Sequence, residues 1–169
     1  MVGAQPVEFL LEVLDAVVDQ LLARAWRPAV TQDDWQAWII EAASRLRDFL
    51  VSQPAALHVY LSHPVVSPAA VDRMNAMMSV LRRTGIGEET AQRAYGALHT
   101  YTIGFAALEA SRARRAPGDG AVSSLARQLA AYTTTGQFTA GLHYLLKGIS
   151  SHAGPAGHSS QSPTGTGSP

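Results

Sequence analysis

Six histidines, thirteen carboxylates and no cysteine define the chemistry open to this 169-residue chain. Without cysteine there are no disulfides, no thiolate metal ligands and no sulfur nucleophiles, which fits a reducing compartment. A zinc-type site on a helix needs histidines about one turn apart, yet no HExxH occurs. His58 and His63 stand five residues apart, roughly 500° around a helix, and so share no face. The stretch GIGEET at 85–90 has the front of a dinucleotide fingerprint, but it lacks the third glycine and joins two helices rather than a strand to a helix. No GxSxG elbow is present, and each Asp and Glu before residue 110 fits a solvated helix face or a helix start. The chain is therefore expected to hold no metal and no cofactor, and no catalytic residue is assigned.

What remains is binding chemistry. His152 and His158 lie in a stretch with no structural signal, which leaves His99 and His143. Each reads first as a polar residue satisfied by hydrogen bonds, and alternatively as a ligand contact for His99 and an interface bond for His143. Met74, Met77 and Met78 fall within five residues. They could fill ordinary core or line an adaptable apolar pocket, because a thioether chain repacks easily. Gly96 and Gly104 with Ala97 and Ala107, and Gly141 with Gly148, put small residues along two segments where another helix could approach closely.

The elements that must position these groups all read as helices. Acids at 8, 12, 15 and 19 and apolar residues at Leu10, Leu14, Val17, Leu21 and Ala25 predict a first helix over 6–26. Thr31 with Asp33 and Asp34 starts a second, carrying Trp35, Trp38, Ile39, Ala42, Leu46, Phe49 and Leu50 at helical spacing. Pro54 ends that helix and can begin a short one, PAALHVYLSH, closed by Pro64. Ser67 and Pro68 form a cap and a first-turn proline, and Gly85 before Ile86 reads as a glycine stop. A long helix follows from Glu88 to about Arg114, then the loop ARRAPGDGA, then helices over about 121–132 and 135–150. Residues 151–169 contain only Ser, Gly, Pro, Thr, Ala, His and Gln, too little apolar surface to offset ordering entropy. The expected organisation is an all-α domain of seven helices over 1–150 with a disordered tail over 151–169.

Composition narrows the function classes. Lys plus Arg and Asp plus Glu balance at 13 each without a basic stripe, so direct nucleic-acid binding by this chain is not expected. The N-terminus lacks a basic lead, and its acids interrupt the apolar stretch. Neither a signal peptide nor a membrane span is expected, and the reading is cytoplasmic. With 47% hydrophobic and 15% charged residues, some apolar surface is expected to meet a partner.

Taken in order, LLEVLDAVVDQLL, the Trp-containing DDWQAWIIEAASRLRDFLVSQP, a short helix ending SHP, RMNAMMSVLRRTGIGEETAQRAYGALHTYTIGFAALEAS and FTAGLHYLLKGI resemble one family. It is the C-terminal ligand-binding and dimerisation domain of TetR-type transcriptional repressors, and the resemblance covers about residues 8–150. It implies a homodimer in which 88–114 and 135–150 pack against their copies as a four-helix bundle, with Gly96, Gly104, Ala107, Gly141, His143 and Gly148 at the interface. It also implies a pocket for a small apolar or aromatic ligand, lined by Trp38, Tyr60, Met74, Met78, His99, Thr102 and Phe105. Full repressors of this type begin with a three-helix DNA reader, and here MVGAQP stands in its place. Besides a regulator domain without its reader, two other readings stay open: an enzyme or carrier reusing the apolar pocket, and a decoy subunit that pairs with an intact repressor.

Overall fold

Three helix starts, at Asp34, Ser67 and Thr134, fall where a side chain satisfies a free backbone amide. The computed structural model describes residues 34–62, 67–114 and 131–152, with single residues at 13, 16, 17, 19, 20, 23, 124 and 128. Five helices have defined bounds: α1 Trp35–Ser52, α2 Pro54–Ser62, α3 Pro68–Arg83, α4 Glu88–Ala113 and α5 Thr135–Ser150. The Asp34 side chain accepts from the Ala37 amide at 3.1 Å, Ser67 from Ala70 at 3.2 Å and Thr134 from Gln137 at 3.2 Å. Pro68 occupies the first turn of α3, where its missing N–H costs nothing. α4 starts at Gly87 without a side-chain cap, and Glu88 and Glu89 in its first turn face the positive end of the helix dipole. Gly85 after α3 takes φ 84°, a left-handed conformation open to a residue without Cβ.

These bounds follow the sequence reading closely, with one shift. The second predicted helix, expected to start at Thr31 with Asp34 in its first turn, has Trp35 as its first residue and Asp34 as its cap. All described residues in helices or turns belong to an all-α architecture, and no strand occurs among them. Residues 13, 16, 17, 19, 20 and 23 are helical, as are 124, 128 and 131. The bounds of the predicted first and sixth helices, and the tail beyond His152, lie outside the described residues.

α1 and α4 pack along each other as the backbone of the fold, with α3 and α5 laid against both. One core cluster joins Trp38, Ile39 and Ala42 of α1, Met77, Met78, Val80 and Leu81 of α3, Leu98 and Phe105 of α4, and Phe138, Leu142 and Leu146 of α5. A second joins Leu46 and Leu50 to Leu57 and Val59 of α2 and to Ala106 and Ala110 of α4. Each such aliphatic or aromatic side chain contributes about 1.5–3 kcal/mol on removal from water.

Arg47 crosses between the clusters and is only 5% exposed. Its Nε and Nη2 donate to Glu109 Oε2 and Oε1 at 2.8 and 2.7 Å, and Nη1 donates to Asp48 Oδ1 at 2.9 Å. Its guanidinium carbon lies 5.9 Å from the Phe105 ring centre and 5.4 Å from that of Phe138. One cation thereby ties α1 to α4 and covers the aromatic contact with α5.

Candidate ligand pocket

A cavity of about 320 Å³ lies between α1, α3 and α4, with α2 contributing Tyr60. That lies toward the small end of small-molecule sites, which run to about 300–1,000 Å³. It exists because the facing side chains are short: Ala42 and Ala43 on α1 and Ala70 on α3 leave volume that longer residues would fill. On α4 the lining positions are Tyr95, Leu98, His99, Thr102 and Ile103, the three- and four-residue steps of one helix face. Val71, Arg73, Met74 and Met77 of α3 and Leu46 of α1 complete the wall, and the exposed Val71 and Met74 form its rim.

The wall is apolar except for one group of polar residues. Arg73 Nη2 donates to the Tyr60 hydroxyl at 2.8 Å. The His99 ring stacks on Tyr95 at 5.4 Å between centres and 18° between planes, and sits 6.2 Å from Tyr60 at a tilt. Burial, and then the Arg73 charge, hold His99 below its usual pKa, so the imidazole is neutral at pH 7. Burial pushes the Tyr60 phenol up, against the pull of Arg73 and with a further push from Asp19, so Tyr60 is a neutral partner. Tyr95 is raised by burial and then by Tyr60. Thr102 Oγ1 donates back to the Leu98 carbonyl at 2.7 Å.

Of the residues singled out from sequence, Tyr60, Met74, His99 and Thr102 come together on this cavity. Trp38, Met78 and Phe105 are instead packed in the first core cluster. Arg73 and Tyr95 were missed as site residues. Tyr95 could have been found by stepping back four residues from His99 on the same face, whereas an arginine on a helix reads as a solvated residue until its neighbours are known.

The expected interface residues divide into two groups. Gly96, Gly104 and Gly148 are exposed, and a Cβ added at any of them would meet nothing within 4 Å among the described residues. His143 is exposed on α5, and Ala107 is half-buried against the second cluster. Gly141 is used within the chain: a Cβ there would collide with the Tyr101 hydroxyl, which donates to the Phe138 carbonyl at 3.1 Å. Beside the open glycines, Leu108 is 54% and Tyr144 75% exposed.

Among the described residues no group of three or more His, Cys, Asp or Glu could hold a metal ion, and no helix is long and apolar enough to cross a membrane. A family model described as tetracyclin repressor-like, C-terminal domain, matches residues 27–152. Among solved structures, the crystal structure of a possible TetR family transcriptional regulator from Streptomyces coelicolor A3(2) is similar in fold. Its TM-score is 0.68, with 22% sequence identity over 83% of this chain and 78% of that one. No curated protein matches the chain.

Proposed function

Since the chain belongs to the family of tetracyclin repressor-like C-terminal domains, we propose that it is the ligand-binding and dimerising part of a transcriptional regulator. A small molecule with an apolar or aromatic body enters the cavity between α1, α3 and α4. The observation that carries this reading is the two-sided use of α4. One face lines the cavity with Tyr95, His99 and Thr102, while the other carries Gly96, Gly104 and Leu108 into solvent.

A glycine inside a helix costs about 1 kcal/mol relative to alanine. At Gly96, Gly104 and Gly148 nothing among the described residues needs the small residue. A second copy laid on α4 and α5 would use that space for close helix approach and would cover Leu108 and Tyr144. The resulting homodimer is a four-helix bundle of α4, α5 and their copies. A ligand acts on it through different affinities for two dimer geometries, because equal affinity for both would shift nothing.

Two measurements on the same preparation test the proposal. Sedimentation at micromolar concentration is expected to give twice the chain mass. Thermal-shift screening with small aromatic and aliphatic compounds is expected to give stabilising hits that disappear in Ala43→Phe, whose ring fills the cavity. A monomer, together with hits that survive the filled cavity, would refute it.

A further inference from the structure

Among the described residues two arginines, Arg47 and Arg73, are almost wholly buried, and they are treated differently. Every nitrogen of Arg47 donates to a carboxylate. Arg73, 6% exposed and lining the cavity, has the Tyr60 hydroxyl on Nη2, and its Nη1 is buried with no hydrogen-bond partner. An arginine cannot shed its proton to escape burial. A buried charge that is neither solvated nor paired is costly; Nη1 of the half-buried Arg112 also lacks a partner, but Arg73 combines this with near-complete burial and a place in the cavity wall.

Among the described residues no carboxylate forms an ion pair with Arg73. Tyr60 and Tyr95 are held above the usual phenol range by burial, so both are neutral, and His99 is held neutral as well. Asp19, whose charge reaches Tyr60, is engaged at the start of α3, where it accepts from Ser67 Oγ and from the Ala69 amide. Among the described residues the polar end of the cavity thus presents a guanidinium without a carboxylate partner, its Nη1 amino group free to donate, and a stacked aromatic wall.

We propose that the ligand is an amphipathic monoanion, a small carboxylate with an aromatic or aliphatic body, whose head group pairs with Arg73 and whose body lies against Met74, Met77 and Ile103. This rests on the reading of the cavity as a ligand site. A carboxylate matches the planar fork of a guanidinium. A phosphate monoester would bring nearly two charges to a single cation and leave one of them buried unpaired. A neutral or cationic head group would leave the Arg73 charge as it stands or add to it.

The test uses three probes that differ only in head group: 3-phenylpropanoate, 3-phenylpropanamide and 3-phenylpropylamine, titrated calorimetrically into the full chain at pH 7.5, with their homologues one methylene shorter and longer. The carboxylate is expected to bind at least tenfold tighter than the amide, with the amine weakest. In Arg73→Met the preference is expected to vanish while the melting temperature of the free protein holds or rises, since an unpaired buried charge has been removed. Arg73→Gln, which keeps a donor for Tyr60, gives the same readout should the methionine variant fold poorly. Amide binding equal to carboxylate binding, or a preference that survives both variants, would overturn the charge assignment and leave the pocket reading standing. Binding of none of the nine compounds would overturn the two together.

Discussion

Replacing Glu109 by glutamine perturbs one buried junction with almost no change of shape. Glu109 takes two charge-assisted hydrogen bonds from Arg47, at 2.8 and 2.7 Å. In Glu109→Gln one of them can persist to the amide oxygen, while the amide N–H₂ confronts the other donor and the negative charge is gone. Charge-assisted hydrogen bonds contribute about 1.5–3 kcal/mol each, and breaking a buried pair on one side costs about 3–5 kcal/mol. Two features lower that figure here: Glu109 is 22% exposed, and the Asp48 carboxylate, 67% exposed, still accepts from Nη1. The expected loss is about 2–3 kcal/mol, which for a domain of this length lowers the melting temperature by about 5–10 °C. Urea denaturation followed by tryptophan fluorescence reads the change directly. Asp48→Asn should change stability by less than about 0.5 kcal/mol, as exposed pairs do. The double variant Arg47→Met with Glu109→Leu should recover most of the loss, because it removes both charges from the interior. If Glu109→Gln came within about 0.5 kcal/mol of the parent, the claim that this pair clamps α1 to α4 would be wrong.

His99 gives the stability a pH dependence whose sign is fixed. Its folded pKa lies below the usual 6.5, so between that lower value and 6.5 the unfolded chain binds the proton and the folded chain does not. Stability is full above 6.5 and falls as pH drops below it; His99→Gln should make the urea midpoint less sensitive between pH 7.5 and 5.5, and an unchanged slope would contradict this. Gly141→Ala forces the Tyr101 ring out of its place and breaks its hydrogen bond to the Phe138 carbonyl. Overpacking of about 1–3 kcal/mol, set against about 1 kcal/mol of better helix propensity, should leave a loss of about 1 kcal/mol in thermal unfolding; a gain in stability would show that the ring moves freely. Leu108→Glu, on the exposed side of α4, should leave the secondary structure by circular dichroism unchanged and halve the sedimenting mass, whereas an intact dimer would place the interface elsewhere.

Helix bounds were legible in the sequence because they depend on local chemistry. Pro54, Pro68, Gly85, the cap at Ser67 and the acidic start of α4 act within a turn or two of themselves. The inward faces were legible too, since their spacing repeats. The cavity was not, because it is a shortage of volume among three helices, and periodicity states which residues face inward without stating which inward space stays empty. Trp38, Met78 and Phe105 point inward as read, but where their neighbours fill the space; Ala42, Ala43 and Ala70, which leave the gap, look unremarkable in a chain rich in alanine. Arg73 was invisible for a related reason. It donates to Tyr60 on α2, thirteen residues away, and nothing within a turn of it in sequence signals that contact.

Two sets of positions interleave along α4 with the same period, one toward the cavity and one toward open solvent. A helix advances about 100° per residue, so inserting or deleting one residue near Leu98 would swing Thr102 off the cavity and Gly104 off the outer face in a single step. Exchanging a residue in either set leaves the other untouched. In descendants of this chain the cavity lining can therefore be rewritten, one position at a time, to suit a new molecule while the outer face stays constant. The number of residues between Glu88 and Ala113, in contrast, is held fixed by both faces together.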